Sequence, residues 1–414
     1  MMSSPPPPPP PQQQPDAPLP LPPLPVDIQV EILSGVGDAI SVVRCAATCK
    51  AWRRLIQETS FLSHLHRRRG AGIFDHSSLL GFFFRDISQR LPRRRLYRRR
   101  PTRFLLLVPS QSRPSLPVVL PLSRFLTTSG DLEGFAPVAS GTSGLVALCR
   151  FQGASRDPAA ICVCNPLAGT STFLPPLPLF VPEKILFLET SGSSFRLLAV
   201  MDDQQGGLLL RVFSSQTGDW DAPVTADLPD NMMVLVCSPA AVHCGAVYWI
   251  CGTPALPHAV HAVAVRLAQA GASVSRIDLP PRAGVHRLTV ASRAVRLANS
   301  AQGTLSLVLL DELVLSVWNL EDSSADRKRW SCCKAVYLMP MLPPIVFSCN
   351  KVELSIQGLC EKSGSLFLRV MGVGLFVLNL ETKKLVKVCK DHFVKHLCPY
   401  VTDFASCLAA MKRF

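Results

Sequence analysis

The sequence predicts a mainly β protein in which a small N-terminal unit of three helices is followed by a β-propeller-like domain of about six or seven blades. Between residues 27 and 57 the apolar residues recur at helical spacing. From about residue 70 onward they fall instead in short runs that are separated by turn residues. A strand-and-turn pattern also recurs about every fifty residues in this second part.

Three short helices are predicted in the N-terminal unit. They span residues 27–34, 39–47 and 49–57, and Asp38 and Thr48 are the expected N-caps of the second and third. In each helix the apolar residues share one face. A unit of about forty residues is near the lower size limit for burying a core of its own. It therefore needs a partner surface or a neighbouring domain.

The repeat in the second part is a strand that ends in valine and enters a polar turn. Five such valines lie 49 to 60 residues apart, and most are preceded by a second apolar strand, as in residues 144–149, 246–251, 305–310 and 366–370. This period, without helical signal between the strands, is typical of propeller blades, whose apolar faces are covered only by their neighbours. The five valines are Val163, Val212, Val265, Val317 and Val377.

Residues 67–414 are assigned to the propeller-like domain, with the irregular region 73–130 supplying one blade. A β-sandwich is the alternative architecture for the same run of strands. Residues 1–23 are dominated by proline and are predicted to be a disordered or polyproline II tail.

Positive charge is concentrated in one segment. The formal net charge is +14, and nine arginines stand against one aspartate between Arg85 and Arg103. We interpret residues 85–103 as an Arg-rich loop; residues 93–103 could serve as a nuclear-import signal or as a phosphate-binding patch. Nucleic-acid binding is not expected, because Tyr97 is the only aromatic residue among these arginines.

Composition also indicates the compartment. The 15 cysteines include no CxxC pair, which argues against a disulfide framework and for a reducing environment. No secretory leader is recognised, and the most apolar long window, residues 303–320, has Asp311 and Glu312 at its centre. A cytoplasmic or nuclear protein that does not enter the membrane is expected.

Residues 24–66 resemble an F-box. The opening Leu24-Pro25, the Glu31-Ile32-Leu33 run, and the later Cys49-Lys-Ala-Trp-Arg53 cluster with Phe61 stand in the order of that family, although the Gly-Val-Gly-Asp turn at 35–38 departs from it. The propeller-like region, with its Val-Cys-Asn-Pro-Leu-Ala-Gly turn at 163–169, is similar to the F-box-associated domains of plant, in particular grass, F-box proteins.

The resemblance implies a non-catalytic substrate-recognition subunit of a Skp1–cullin–F-box ubiquitin ligase. In such a complex the F-box binds a Skp1-type adaptor, and through it the cullin, while the propeller binds a protein target whose identity the sequence does not reveal. Two alternatives stay open: a helical cap on the propeller, and a basic nuclear or nucleic-acid-associated scaffold protein that contains such a cap. The implied adaptor-binding residues are Leu24, Pro25, Ile28, Glu31, Ile32, Leu33, Cys49 and Trp52.

No enzymatic motif is present. The chain has no HExxH, GxxxxGK[ST], GxSxG or GxGxxG sequence, and no cofactor or catalytic residue is predicted. Cys389, His392, His396 and Cys398 have spacings that a zinc ion could use, but a closing segment of the last blade is favoured there because lysines interrupt the set. Cys162 and Cys164 alternate on a strand and are predicted to be core residues.

Overall fold

Two helices and 26 strands are described in a computed structural model of the chain. The helices are α1 (Val26–Gly35) and α2 (Lys50–Gln57). The described residues are 24–36, 42, 45–46, 50–58, 60–61, 63–64, 78–86, 102–107, 118–122, 126, 132, 134–141, 143–150, 160–166, 169–177, 184–191, 194–203, 206–229, 232–234, 240–253, 256–268, 271–280, 293–300, 303–322, 328–344, 346, 353–390 and 394–402.

The N-terminal helical unit, residues 24–64, has α1 and α2 close to their predicted positions. Pro25 precedes α1, and its carbonyl oxygen accepts the first helical hydrogen bond from the Gln29 amide at 3.1 Å. The predicted middle helix, 39–47, lies mostly outside the described residues, although Val42, Cys45 and Ala46 within it are helical.

The strands follow one another in chain order, with a three-residue 3-10 helix at Met339–Met341 among them. They are β1 Ser78–Asp86, β2 Thr102–Leu106, β3 Val118–Pro121, β4 Ala136–Ser140, β5 Val146–Arg150, β6 Ala160–Asn165, β7 Thr170–Phe173, β8 Lys184–Ser191, β9 Ser194–Asp202, β10 Gly207–Ser214, β11 Asp219–Trp220, β12 Val224–Asp227, β13 Met233–Val234, β14 Ala241–His243, β15 Ala246–Thr253, β16 Leu256–Ala268, β17 Gly271–Asp278, β18 Val295–Asn299, β19 Leu305–Asp311, β20 Val314–Asp322, β21 Lys328–Tyr337, β22 Leu354–Cys360, β23 Ser365–Val370, β24 Gly374–Asn379, β25 Leu385–Cys389 and β26 Val394–Thr402.

These strands form six separate antiparallel sheets, which are the blades of a six-bladed β-propeller. Blade 1 has the order β26-β1-β2-β3, and blade 2 has the order β4-β5-β6-β7. Blades 3 to 6 comprise β8–β12, β13–β17, β18–β21 and β22–β25. The predicted propeller is thus confirmed with six blades, and the alternative of a sandwich of two packed sheets is wrong.

The valine repeat marks the same strand in five blades. Each of the five valines lies on the third strand counted from the centre, namely β6, β10, β16, β20 or β24, and the four apolar runs that precede them lie on the second strands β5, β15, β19 and β23. The first strands of neighbouring blades contact one another, as β4 and β8, β14 and β18, and β18 and β22 do. They therefore surround the axis of the ring.

The ring is closed by strands from the two ends of the domain. β26 pairs with β1 in antiparallel register, with Phe83 opposite Cys398 and Gly81 opposite Tyr400. The region 73–130 therefore supplies three strands of blade 1, and the fourth comes from more than 270 residues later in the chain. The Tyr400 ring packs edge-on against Phe83 and Phe104, and its hydroxyl donates to the Gly144 carbonyl oxygen of blade 2 at 3.2 Å.

The apolar core lies between blades. One cluster joins blades 2 and 3, a second joins blades 3 and 4, a third spans blades 4 to 6, and two more join blade 6 to blade 1 and blade 1 to blade 2. Successive side chains of β6 point to opposite faces of blade 2, so this strand contributes to the clusters on both sides of the blade. Cys162 and Cys164 face blade 1, as predicted for core residues, while Val163 faces blade 3.

Candidate functional site

Helix α1 has two apolar faces, so the prediction that its apolar residues share one face is wrong. The N-terminal helical unit covers only one of the two faces. Val30 and Leu33 belong to the internal core, where Leu33 is completely buried together with Val42, Leu55 and Ile56. The opposite face carries Ile28 and Ile32, which lie one turn apart. Their side chains are 47% and 46% exposed.

The exposed apolar side chains at the start of this unit form one group. Ten large apolar residues are classed as exposed in the described part of the chain, and four of them fall within nine consecutive residues. The other six are distributed over the propeller strands and turns. A single exposed apolar residue requires no explanation, but a contiguous group indicates a contact surface. We call this group the N-terminal apolar surface; it consists of Leu24, Val26, Ile28 and Ile32.

Polar contacts hold the backbone beneath this surface. The Gln29 side chain donates from Nε2 to the Leu24 carbonyl oxygen at 2.7 Å, which ties the segment before α1 to its first turn. Glu31 Oε1 lies 3.7 Å from Nε2 of His64, beyond α2. The Ser34 hydroxyl donates to the Glu31 carbonyl oxygen at 3.1 Å. The first turn of α1 is therefore tied to the segment before it, and the middle of the helix lies beside His64.

Helix α2 supports α1 from behind. Leu55 and Ile56 are buried, and Trp52 is half-buried against the same internal core. Arg53 donates from Nε to the Ala46 carbonyl oxygen at 3.1 Å, which links α2 to the preceding helical residues. Trp52 thus contacts the core and is also partly open to solvent.

The eight predicted adaptor-binding residues have three different environments. Leu33 is internal, Trp52 is half-buried, and Cys49 lies outside the described residues. Val26 was not predicted, although it is the most exposed apolar residue of the surface at 60%. Val26 could have been predicted from its position directly after the Leu24-Pro25 pair. The remaining five predicted residues are exposed: Leu24, Pro25, Ile28, Glu31 and Ile32.

The residues weighed for a zinc site are divided between blades. Cys389 ends β25 of blade 6, whereas Cys398 is buried in β26 of blade 1, and His396 is exposed on that strand; His392 lies outside the described residues. Within the described ranges, no three potential ligands are grouped in a way that could hold a metal ion. No helix among the same residues is long and apolar enough to cross a membrane. Of the arginines in 93–103, only Arg103 is described.

The propeller has an open depression of about 510 Å³ between blades 2 and 3. Phe173, which is half-exposed at the end of β7, forms one side, and Phe195 and Phe213 of blade 3 form the base. Ser215 Oγ accepts a hydrogen bond from the Phe195 amide at 2.8 Å, so this polar side chain is already engaged. The depression offers apolar contact without a described charged group in its lining.

Solved structures resemble the chain only distantly. AofleA from Arthrobotrys oligospora, as a triple mutant, is 9% identical over 73% of this chain and 85% of its own, with a TM-score of 0.40. The propeller domain of the Trilobed protease from Pyrococcus furiosus is 7% identical over 70% and 75%, with a TM-score of 0.36. A Mycobacterium tuberculosis puromycin-hydrolyzing peptidase is 14% identical over 61% of this chain, with a TM-score of 0.35. The chain spans 37% of that peptidase and 52% of the isopeptidase AtxE2.

Family comparisons identify both parts of the chain. No functionally curated protein matches it. A family model described as F-box-like matches residues 21–68, which contain the N-terminal apolar surface and the internal core beneath it. A second model, described as a domain of unknown function, matches residues 110–414 and thus most of the propeller. The protein therefore belongs to the DUF7595 family and carries an F-box-like domain at its N-terminus.

Proposed function

We propose that the protein is a substrate-recognition subunit of a Skp1–cullin–F-box ubiquitin ligase. In this proposal the F-box-like domain, taken as residues 24–66, binds a Skp1-type adaptor that connects it to the cullin. The propeller, taken as residues 67–414, binds a protein target. The observation that carries the proposal is the exposed apolar face of α1 in a segment that matches the F-box-like family.

The energetics of α1 favour a partner on its exposed face. Ile28 and Ile32 retain about half of their accessible surface, and burying an isoleucine side chain fully stabilises a complex by about 1.5–3 kcal/mol. The two residues together therefore leave about 1.5–3 kcal/mol of apolar burial unrealised in the isolated chain. A helix that lies in an apolar groove of its partner recovers this free energy.

The predicted residues take two kinds of role in this proposal. Leu24, Pro25, Ile28, Glu31 and Ile32 are exposed and would contact the adaptor directly, and we add Val26 to them. Leu33 and Trp52 hold α1 against the internal core, so they would act by positioning the contact face, with the open part of Trp52 also available to the partner. Cys49 keeps its predicted role as an adaptor contact.

The architecture fits a non-catalytic adaptor. A rigid six-bladed ring closed by β26 and β1 offers loops on both faces for protein recognition. In such a ligase this subunit only has to hold a bound target near the ubiquitin carrier, which raises the effective concentration of the target there. The subunit itself then forms and breaks no covalent bonds. We also propose a plant origin and a cytoplasmic or nuclear location, on the resemblance of the repeat turns and the cysteine usage.

Binding to a purified Skp1-type adaptor tests the proposal. The double variant Ile28→Ala with Ile32→Ala should raise the dissociation constant at least about tenfold, because roughly 1.4 kcal/mol of lost burial corresponds to a factor of ten. The matched control is Met371→Ala with Val386→Ala, since these propeller side chains are 48% and 47% exposed. The control should bind like the parent protein. Absence of binding by the parent protein, or equal weakening in both double variants, would refute the proposal.

A further inference from the structure

Three blades bring polar side chains together at one rim of the propeller channel. His243 ends β14, Asn299 ends β18, and Glu361 directly follows β22. These are the first strands of blades 4, 5 and 6, and each leads through a turn into the second strand of its blade. Neighbouring first strands contact one another, and hydrogen bonds that join Asn299 to His243 and to Glu361 show that their ends meet.

The hydrogen bonds within this cluster determine the orientation of Asn299. Its Nδ2 donates to the Val242 carbonyl oxygen at 2.8 Å and to Glu361 Oε2 at 3.0 Å, and its backbone amide donates to Glu361 Oε1 at 3.0 Å. An amide nitrogen with two acceptors directs the amide oxygen to the opposite side. Asn299 Oδ1 therefore faces His243, at 2.9 Å from Nδ1.

This orientation determines the tautomer of His243. An amide oxygen accepts hydrogen bonds and cannot donate them, so Nδ1 of His243 must carry the proton in the contact with Asn299. In the neutral ring, Nε2 is then left with its lone pair. The Cys244 Sγ lies 3.2 Å from this nitrogen. The thiol therefore donates to a basic nitrogen.

The turn that carries Cys244 is unusual for a cysteine. His243 pairs with Ala246, so Cys244 and Gly245 form a two-residue hairpin loop, and their φ values are +47° and +71°. Loops with positive φ at both positions favour asparagine or glycine at the first, because a side chain is strained there. Strain of this kind concentrates at functional positions. The turn holds the sulfur beside the imidazole.

Glu361 lies behind the histidine and holds the Asn299 amide in place. Its two carboxyl oxygens accept hydrogen bonds from the side chain and the backbone amide of Asn299. Burial raises the pKa of the Glu361 carboxyl, and the hydrogen bonds from Asn299 and the nearby His243 partly offset that rise. The Glu361 side chain thereby keeps Asn299 Oδ1 directed at His243.

We propose that Cys244 is a nucleophilic modification site that adds to α,β-unsaturated carbonyl compounds, with His243 as its base and Asn299 as the positioning residue. Sγ bonds to the β-carbon while His243 Nε2 takes the thiol proton. The electrons of the carbon–carbon double bond move onto the carbonyl oxygen as an enolate. The imidazolium then returns the proton to the α-carbon, which leaves a neutral thioether and consumes no further reactant.

The other described exposed cysteines provide internal controls. Cys333 Sγ donates to the Val317 carbonyl oxygen at 3.2 Å, and Cys332 Sγ lies 3.9 Å from the Lys334 carbonyl oxygen. A carbonyl oxygen holds the proton on sulfur, whereas an imidazole nitrogen can remove it. All three cysteines are exposed. A difference between their reaction rates therefore reports the effect of the group that accepts a hydrogen bond from each thiol.

The experiment uses the full-length protein and acrylamide, a small α,β-unsaturated amide, at pH 7 under pseudo-first-order conditions. Peptide-resolved mass spectrometry with fragmentation follows each cysteine separately. Cys244 should react at least about tenfold faster than Cys332 and Cys333, a threshold set below the roughly 100-fold at the lower end of what a positioned general base contributes. Equal rates at the three sites in the parent protein would overturn the proposal without any variant.

Variants distinguish loss of the base from loss of the folded structure. His243→Gln, whose amide can still donate to Asn299, and Asn299→Ala should each bring the Cys244 rate to within about threefold of the Cys332 rate. The control His261→Gln, on β16, should leave it unchanged. Buried Cys251 reports folding, since it should remain unmodified in every variant used. Retention of the fast rate in His243→Gln, with Cys251 protected, would refute the role of the base. The inference is independent of adaptor binding.

Discussion

The same substitution to alanine at two neighbouring residues of α1 should have very different effects on the stability of the domain. Leu33 is completely buried in the internal core of the F-box-like domain, whereas Ile32 is 46% exposed on the other face. Leu33→Ala removes packing against Leu55, Ile56 and Phe61, while Ile32→Ala removes contact mainly with solvent. The first change should therefore alter the stability of the domain, and the second should leave that stability nearly unchanged.

The expected magnitudes follow from burial. A buried leucine truncated to alanine costs about 2–5 kcal/mol, which is a large part of the stability that a forty-residue unit can have. At about 1.4 kcal/mol per factor of ten, the lower value corresponds to local opening that is roughly 30-fold more frequent. Ile32→Ala should change the free energy of opening by less than about 0.5 kcal/mol, because alanine also favours the helix.

Hydrogen–deuterium exchange of the full-length protein measures this difference directly. The amides of α1 and α2 should exchange at least about 30-fold faster in Leu33→Ala and within about threefold of the parent protein in Ile32→Ala. The amides of β15 in blade 4 should exchange equally in all three proteins. Slow exchange of α1 in Leu33→Ala, or equally fast exchange in both variants, would show that the two-faced description of α1 is wrong.

Three further predictions concern the propeller. Gly81→Ala should destabilise it by at least about 2 kcal/mol, because the added methyl group falls on the Leu105 carbonyl oxygen of β2; thermal unfolding measures this. Removal of residues 391–414 deletes β26, and limited proteolysis should then cleave blade 1 rapidly because the ring is open. Burial raises the pKa of Cys398 from 9.0 to about 12, so the unfolded thiol ionises first and stability falls as the pH rises above 9. Cys398→Ala should reduce that slope by about 1.4 kcal/mol per pH unit between pH 9 and 12 in denaturant titrations.

Each of these predictions has an outcome that would contradict it. Gly35→Ala adds a methyl group to open space and should leave thermal unfolding unchanged, so equal losses in Gly35→Ala and Gly81→Ala would contradict the steric argument. Protease resistance of the truncated chain equal to that of the parent protein would contradict closure by β26. An unaltered pH slope in Cys398→Ala would show that this thiol ionises equally in the folded and unfolded states.

Most of the propeller was predictable because its blades repeat. Val163 and Val377 mark equivalent strands, since each blade must bury an apolar third strand between its neighbours. The first and fourth strands were less visible. β14 has only three residues, and in β21 two lysines, an arginine and a serine interrupt the apolar residues, so neither strand is one long apolar run.

The residues of the candidate adaptor site could be predicted from the sequence, but which of them are exposed and which are internal could not. The resemblance at Leu24-Pro25 and Glu31-Ile32-Leu33 located the surface. It did not separate Ile32 from Leu33, because adjacent apolar residues on a helix differ in rotation by about 100° and only the packing of α2 decides which one is internal. Val26 was missed for the same reason, as its exposure depends on where the domain core ends.

By itself, the sequence determined that a small helical unit precedes a domain of about fifty-residue β repeats, because hydrophobic periodicity is a local property of the chain. Only the tertiary structure decided that the ring has six blades. That number depends on whether β26 pairs with β1, a contact between distant segments. The same holds for the cluster of Cys244, His243, Asn299 and Glu361, since residues more than fifty positions apart meet only where three first strands end at one rim.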